Sequence, residues 1–220
     1  MLKFALVIFM VFAFFSQAAL AEDWFPNPNA DRLFFAPTGK NPVLKKNSIY
    51  TCDALAYYGR IYMGESFSLG GGTFPILGLF YIAPQMSLFE NENFSWAAGI
   101  LSADLFANGL YTVGTYSVGN LSLTGGIISW YPLISVLERP FMILGGEYRL
   151  MEQFSFVAES WQLPVLDSVS FNTIDSINAI NIIGGRFFGQ NFSFEIGVFS
   201  RVVQDGITAY IPCLNYVYYF

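Results

Sequence analysis

Histidine is absent from the sequence. That removes the Ser-His-Asp and Cys-His constellations, in which an imidazole carries the proton, and most zinc sites. Charge is scarce too. Asp, Glu, Lys and Arg make up 12% of the residues, about half of what a soluble domain usually carries. Ten Lys and Arg stand against sixteen Asp and Glu, a net charge of −6, so the basic patch that a nucleic-acid partner requires is missing. Long apolar runs are also missing. Hydrophobic residues reach 54%, yet nothing after residue 21 approaches the roughly 20 residues of a transmembrane helix. The apolar residues, including 13 Tyr and 24 Phe, must therefore be dispersed by alternation.

What is present is one short phrase repeated five times. It reads Gly189-Gln190-Asn191-Phe192-Ser193-Phe194-Glu195, with counterparts that begin at Gly64, Asn91, Val118 and Met151. Asn, Gly, Glu and Gln make a turn. An aromatic residue or leucine, a serine and another large apolar residue then start a strand, and the serines Ser68, Ser95, Ser122, Ser155 and Ser193 keep the phrase in step. Period 2 begins at once, the signature of a strand. Each copy is a tight hairpin. Tight turns at one end and longer, variable loops at the other are the pattern of a transmembrane β-barrel.

The two ends of the chain agree. Lys3, the apolar run Phe4 to Phe15 and the small-x-small triplet Ala19-Leu20-Ala21 before Glu22 read as a cleaved signal peptide over 1–21. The mature chain, 22–220, has room for one domain. At the other end Leu214, Tyr216, Tyr218 and Phe220 alternate with Cys213, Asn215, Val217 and Tyr219. This resembles the C-terminal strand of Gram-negative outer-membrane β-barrel proteins. The resemblance implies that Leu214, Tyr216, Tyr218 and Phe220 are the signal read by the barrel-assembly machinery. It also implies an outer-membrane location, with lipid and lipopolysaccharide as surroundings.

The expected fold is therefore all-β, a transmembrane antiparallel up-and-down barrel. Strands are predicted over 48–62, 66–77, 79–89, 94–103, 109–118, 121–130, 141–150, 154–163, 177–188, 192–203 and 207–220. A further short strand over 32–36 would make twelve, an even number with both termini at the tight-turn end; ten or eight are the alternatives. Pro75, Pro84 and Pro212 cannot donate to a ladder, which predicts bulges or strand ends there. With the 32–36 strand between their strands, Cys52 and Cys213 would be too far apart to bridge.

Charge parity says which face looks inward. Phe192, Phe194, Ile196, Val198 and Val202 share a face opposite Glu195 and Arg201; Phe154 and Phe156 oppose Glu159. Leu144, Tyr148 and Leu150 oppose Glu147 and Arg149, and Tyr57 and Ile61 oppose Arg60. An arginine facing lipid at the midplane costs about 2–4 kcal/mol. Turning Arg60, Glu147, Arg149, Glu159, Glu195 and Arg201 inward avoids that cost, and makes them, with Arg186 from a strand of less regular alternation, a candidate lumen charge network. A soluble barrel would show the reverse.

No catalytic residue, metal site or cofactor is expected. Glu147, Glu159 and Glu195 would suit a carboxylate-only enzyme, but buried charges are normally paired, here with the inward arginines. Asp167 and Asp175 are too few for calcium, which takes 6–8 oxygens. The Asn-x-Ser triplets are turn residues. Lys45 and Lys46, in a loop over 37–47, are solvated or touch lipopolysaccharide phosphates. Two roles follow for the barrel: a narrow passive channel or a structural surface barrel. A barrel-wall enzyme, or a soluble secreted barrel for a small apolar ligand, are the alternatives.

Overall fold

A computed structural model of the chain describes residues 24, 26–33, 35–42, 46–52, 56–74, 79–103, 107–132, 140–164, 177–203 and 206–220. Of 52, 56, 74, 79, 103, 107, 130–132, 163–164, 177–178, 201–203 and 206–209 it gives the backbone alone. Twelve strands form one closed antiparallel barrel. They are β1 (Ser48–Cys52), β2 (Ala56–Met63), β3 (Phe67–Phe74), β4 (Leu79–Glu90), β5 (Phe94–Ala103) and β6 (Ala107–Val118), then β7 (Leu121–Pro132), β8 (Phe141–Met151), β9 (Phe154–Pro164), β10 (Ile177–Phe188), β11 (Phe192–Val203) and β12 (Gly206–Tyr219). Each pairs with its neighbour in sequence, and β1 closes the wall on β12 with Cys52 opposite Asn215.

The five repeated phrases are the turns β2–β3, β4–β5, β6–β7, β8–β9 and β10–β11. Their local chemistry explains them. Gly64 and Gly119 take φ of 74° and 54°, the left-handed region open to glycine. The Asn91 side chain accepts the N–H groups of Asn93 and Phe94, an Asx-type turn. Phe220 donates its N–H to the Asn47 carbonyl, so the wall begins and ends at this same turn end.

Alternation then sorts the side chains. On β11, Phe194, Ile196 and Val198 face out, while Ser193 and Glu195 are buried inside. On β12 and the residue after it, Leu214, Tyr216, Tyr218 and Phe220 face out, and Cys213, Asn215, Val217 and Tyr219 face in. Phe89, Phe94, Phe154, Phe187, Tyr218 and Phe220 pair as rings near the turn end, the aromatic girdle of a membrane barrel. With apolar residues outside and charges inside, the molecule is the inverse of a soluble barrel.

Four expectations are corrected. The segment 32–36 is not in the wall: Arg32 bridges Pro37 across a chain reversal inside the lumen. The twelfth strand comes instead from 48–62, which holds two antiparallel strands, β1 and β2, rather than one. The strands of Cys52 and Cys213 are consequently neighbours at the closure, and no strand lies between them. Pro212 sits opposite Val198 with no register shift, and β4 continues through Pro84; the bulges lie at Ser87/Phe89, Arg149/Met151 and Arg201/Val202. The predicted signal peptide, Lys45, Pro75, Asp167 and Asp175 lie outside the described residues.

Candidate functional site

The lumen is filled by the chain's own N-terminal segment. Residues 26–33 and 35–42 are the two arms of a hairpin that enters from the turn end, reverses at mid-height and returns. Asn27-Pro28-Asn29-Ala30 opens it, since Asn and Pro favour turns; Ala30 N–H donates to the Asn27 carbonyl and Arg32 N–H to that of Asn29. Two bonds tie the arms: Leu33 N–H to the Ala36 carbonyl and Thr38 N–H to the Asp31 carbonyl, both 2.9 Å.

Four ion pairs anchor the hairpin and the wall around it. The Arg32 guanidinium meets Glu195 with both ends of its fork, Nη2–Oε1 2.6 Å and Nη1–Oε2 3.2 Å. Arg186, fully buried, donates through Nε to Glu195 at 2.8 Å and through Nη1 to Glu147 at 3.0 Å. Its Nη2 reaches the Leu33 carbonyl at 2.5 Å. Arg60 pairs with Asp31 at 3.0 Å, and the Tyr62 hydroxyl donates to the same carboxylate at 2.6 Å. Buried charges are tolerated only when paired and hydrogen-bonded in this way.

Further hydrogen bonds complete the seating. Glu159 Oε2 accepts the N–H groups of Phe35 and Ala36 at 3.0 and 3.1 Å, at the hairpin tip. Asn29 Oδ1 accepts from Arg32, Ser193 and the Tyr219 hydroxyl. Gln85 donates to the Thr38 carbonyl at 3.1 Å, and Gly39 N–H to Thr115 Oγ1 at 2.9 Å. Here glycine is required by space, since a Cβ on Gly39 would collide with the Ser95 carbonyl oxygen. Leu33 and Ala36 pack into an inward apolar ring of Val113, Ile128, Ile143, Val157 and Ile182.

The structure thus joins Glu147, Arg186 and Glu195 in one cluster, places Arg60 on a separate pair and sets Glu159 at the tip. Arg149 sits at the turn-end rim, its Nη2 donating to the Glu152 carbonyl and its guanidinium 5.0 Å from the Trp24 ring. The Arg201 side chain lies outside the described residues. Asn29, Asp31 and Arg32 were missed by the sequence reading. Their signal was there: a charged Asp-Arg pair bracketed by Pro28 and Pro37, a poor candidate for a wall strand. Lys46 is also placed differently, bonded to Gln190 and Asn191 at the turn end rather than near the longer loops.

The hairpin divides the lumen. On the turn side lies a space of about 330 Å³, lined by Trp24, Lys40, Thr115, Ser122, Glu147 and Arg149 among others. Burial there lowers the Lys40 pKa, against the pull of Glu147 and Glu90. On the far side lies a space of about 60 Å³ beside Arg32, Tyr50, Tyr58, Arg60 and Tyr111.

No protein-family model matches the sequence, and no curated protein matches it. Solved structures do match the fold. The NanC porin superposes with a TM-score of 0.56 at 8% identity, over 79% of this chain and 99% of its own. The KdgM porin superposes with a TM-score of 0.51 at 11% identity, over 80% and 98%; it was also solved in complex with disordered oligogalacturonate. At such identities the likeness is one of fold.

Proposed function

We propose that the protein is a Gram-negative outer-membrane barrel acting as a narrow passive channel, closed in this conformation by its N-terminal hairpin. The observation that carries the reading is the inverted wall: a closed ring of twelve strands, apolar outside and charged within. Only a bilayer satisfies such an exterior, and twelve strands enclose more than their own side chains fill. The porin fold of NanC and KdgM supports it. On this reading the turns face the periplasm and the longer loops face lipopolysaccharide. The signal over 1–21 directs export, and the assembly machinery reads Leu214, Tyr216, Tyr218 and Phe220. The chain is non-enzymatic, since Glu147, Glu159 and Glu195 are engaged by arginines and backbone N–H groups.

Conduction then requires the hairpin to shift. A second reading, a structural barrel that never opens, is favoured by the apolar inner ring around Leu33 and Ala36, because an apolar constriction excludes water even when unplugged. Single-channel recording on the full mature chain in planar bilayers decides between them. The channel reading expects rare, brief ohmic openings, lengthened in Glu159→Ala, which frees the hairpin tip. Silence in both proteins, with correctly folded barrels, establishes the structural reading.

A further inference from the structure

The place where Arg32 sits is built by the wall. Glu195 is oriented without help from the hairpin: Asn215 Nδ2 donates to its Oε2 and Arg186 Nε to its Oε1, both at 2.8 Å. Tyr50, on β1, lays its ring 4.9 Å from the Arg32 guanidinium carbon. A carboxylate edge with an aromatic face beside it is the chemistry that selects a planar guanidinium. The carboxylate takes the fork bidentately, and the ring attracts the delocalised cation. A compact ammonium uses neither geometry as well.

Charge points the same way. Glu147 and Glu195 share one wall cation, Arg186. With Arg32 in place the cluster is neutral; with Arg32 withdrawn it carries one uncompensated negative charge, and a cation must replace it or the cluster is destabilised. The cavity beyond the hairpin is lined by Arg32 and Tyr50 together, so it opens on the aromatic side of this place.

We propose that Glu195, Asn215 and Tyr50 form a guanidinium-binding site in the lumen wall, occupied in cis by Arg32. A guanidinium-bearing cation from solution competes for it and releases the hairpin. Binding is independent of the channel reading; only the opening that follows rests on it. Because Arg32 is tethered, its effective concentration is at least on the order of millimolar. A free competitor must therefore be supplied at or above that order of concentration.

Chemical rescue tests the site. In Arg32→Ala the site is vacant, and guanidinium chloride at about 50 mM should raise the thermal midpoint of the full chain in micelles by a few degrees, saturably, as a ligand does. Sodium or ammonium chloride at the same ionic strength should not, and the rise should be lost in Arg32→Ala/Glu195→Gln. A rise equal in all three salts, or one that survives Glu195→Gln, overturns the proposal. Should Arg32→Ala fail to fold, the wild-type protein decides: guanidinium, but not sodium, should speed amide exchange at Phe35 and Ala36, and unchanged exchange refutes the site. Recording in bilayers separates the two readings. Guanidinium-dependent exchange with no conductance in any salt sinks the channel and keeps the site, whereas conductance with exchange at Phe35 and Ala36 that is indifferent to guanidinium keeps the channel and sinks the site.

Discussion

Arg186 donates to Glu195, to Glu147 and to the Leu33 carbonyl from a position with no solvent exposure. Arg186→Leu would leave Glu147 without its ion-pair partner and Glu195 with Arg32 alone, and losing one partner of a buried pair costs about 3–5 kcal/mol. A clear fall in the urea midpoint in micelles is expected, set against little change for the outward Phe194→Leu; equal effects would mean that the cluster contributes nothing. Gly39→Val should act on the hairpin alone. Its branched side chain meets the Ser95 backbone, so the return arm should undock and trypsin should cleave after Lys40 while the wall stays intact. Resistance like that of the wild type would place the arm elsewhere. At this scale the inward charges were legible from parity, because lipid forbids the alternative. Arg186 was the least legible: Ile182 on the same strand is also inward, packed on the hairpin, which blurs the polar-apolar alternation that marks the other strands.

Strands are where the sequence speaks most clearly and where it misled twice. The five turns were readable because Gly, Asn and Glu sit where the backbone must reverse, and β5, β10 and β11 match their expected limits. The split of 48–62 was hidden because Asp53-Ala54-Leu55 contains neither glycine nor proline and the alternation continues across it. Segment 32–36 looked like a strand because a short apolar run has the same pattern in a wall or in a plug; only its partners distinguish the two, and those lie far away in sequence. The two errors offset each other in the strand count. For β12 the expectation concerns assembly: Phe220→Ala or Tyr218→Ser, both outward and half-exposed, should lower outer-membrane levels and leave periplasmic degradation products. Insertion at the wild-type rate in both would remove the terminal strand from its role as a signal.

For the whole molecule, a closed ladder with no edge strand should unfold as one unit and resist dodecyl sulfate until boiled. Unboiled and boiled samples should migrate differently, and identical migration together with solubility without detergent would contradict a membrane barrel. The barrel was legible in the sequence because it is written locally, in turns and parity. The filled lumen was not, because it arises from contacts such as Arg32–Glu195 and Asn29–Tyr219 that no local pattern records. The most direct test of a lumen closed by the chain's own hairpin is amide exchange at Phe35 and Ala36 in the folded protein in micelles. Their N–H groups are bonded to Glu159 at the centre of the barrel, so exchange should be slowed by orders of magnitude relative to an open peptide. Exchange at the open-peptide rate, with the wall amides still protected, would show that the hairpin is not in the lumen.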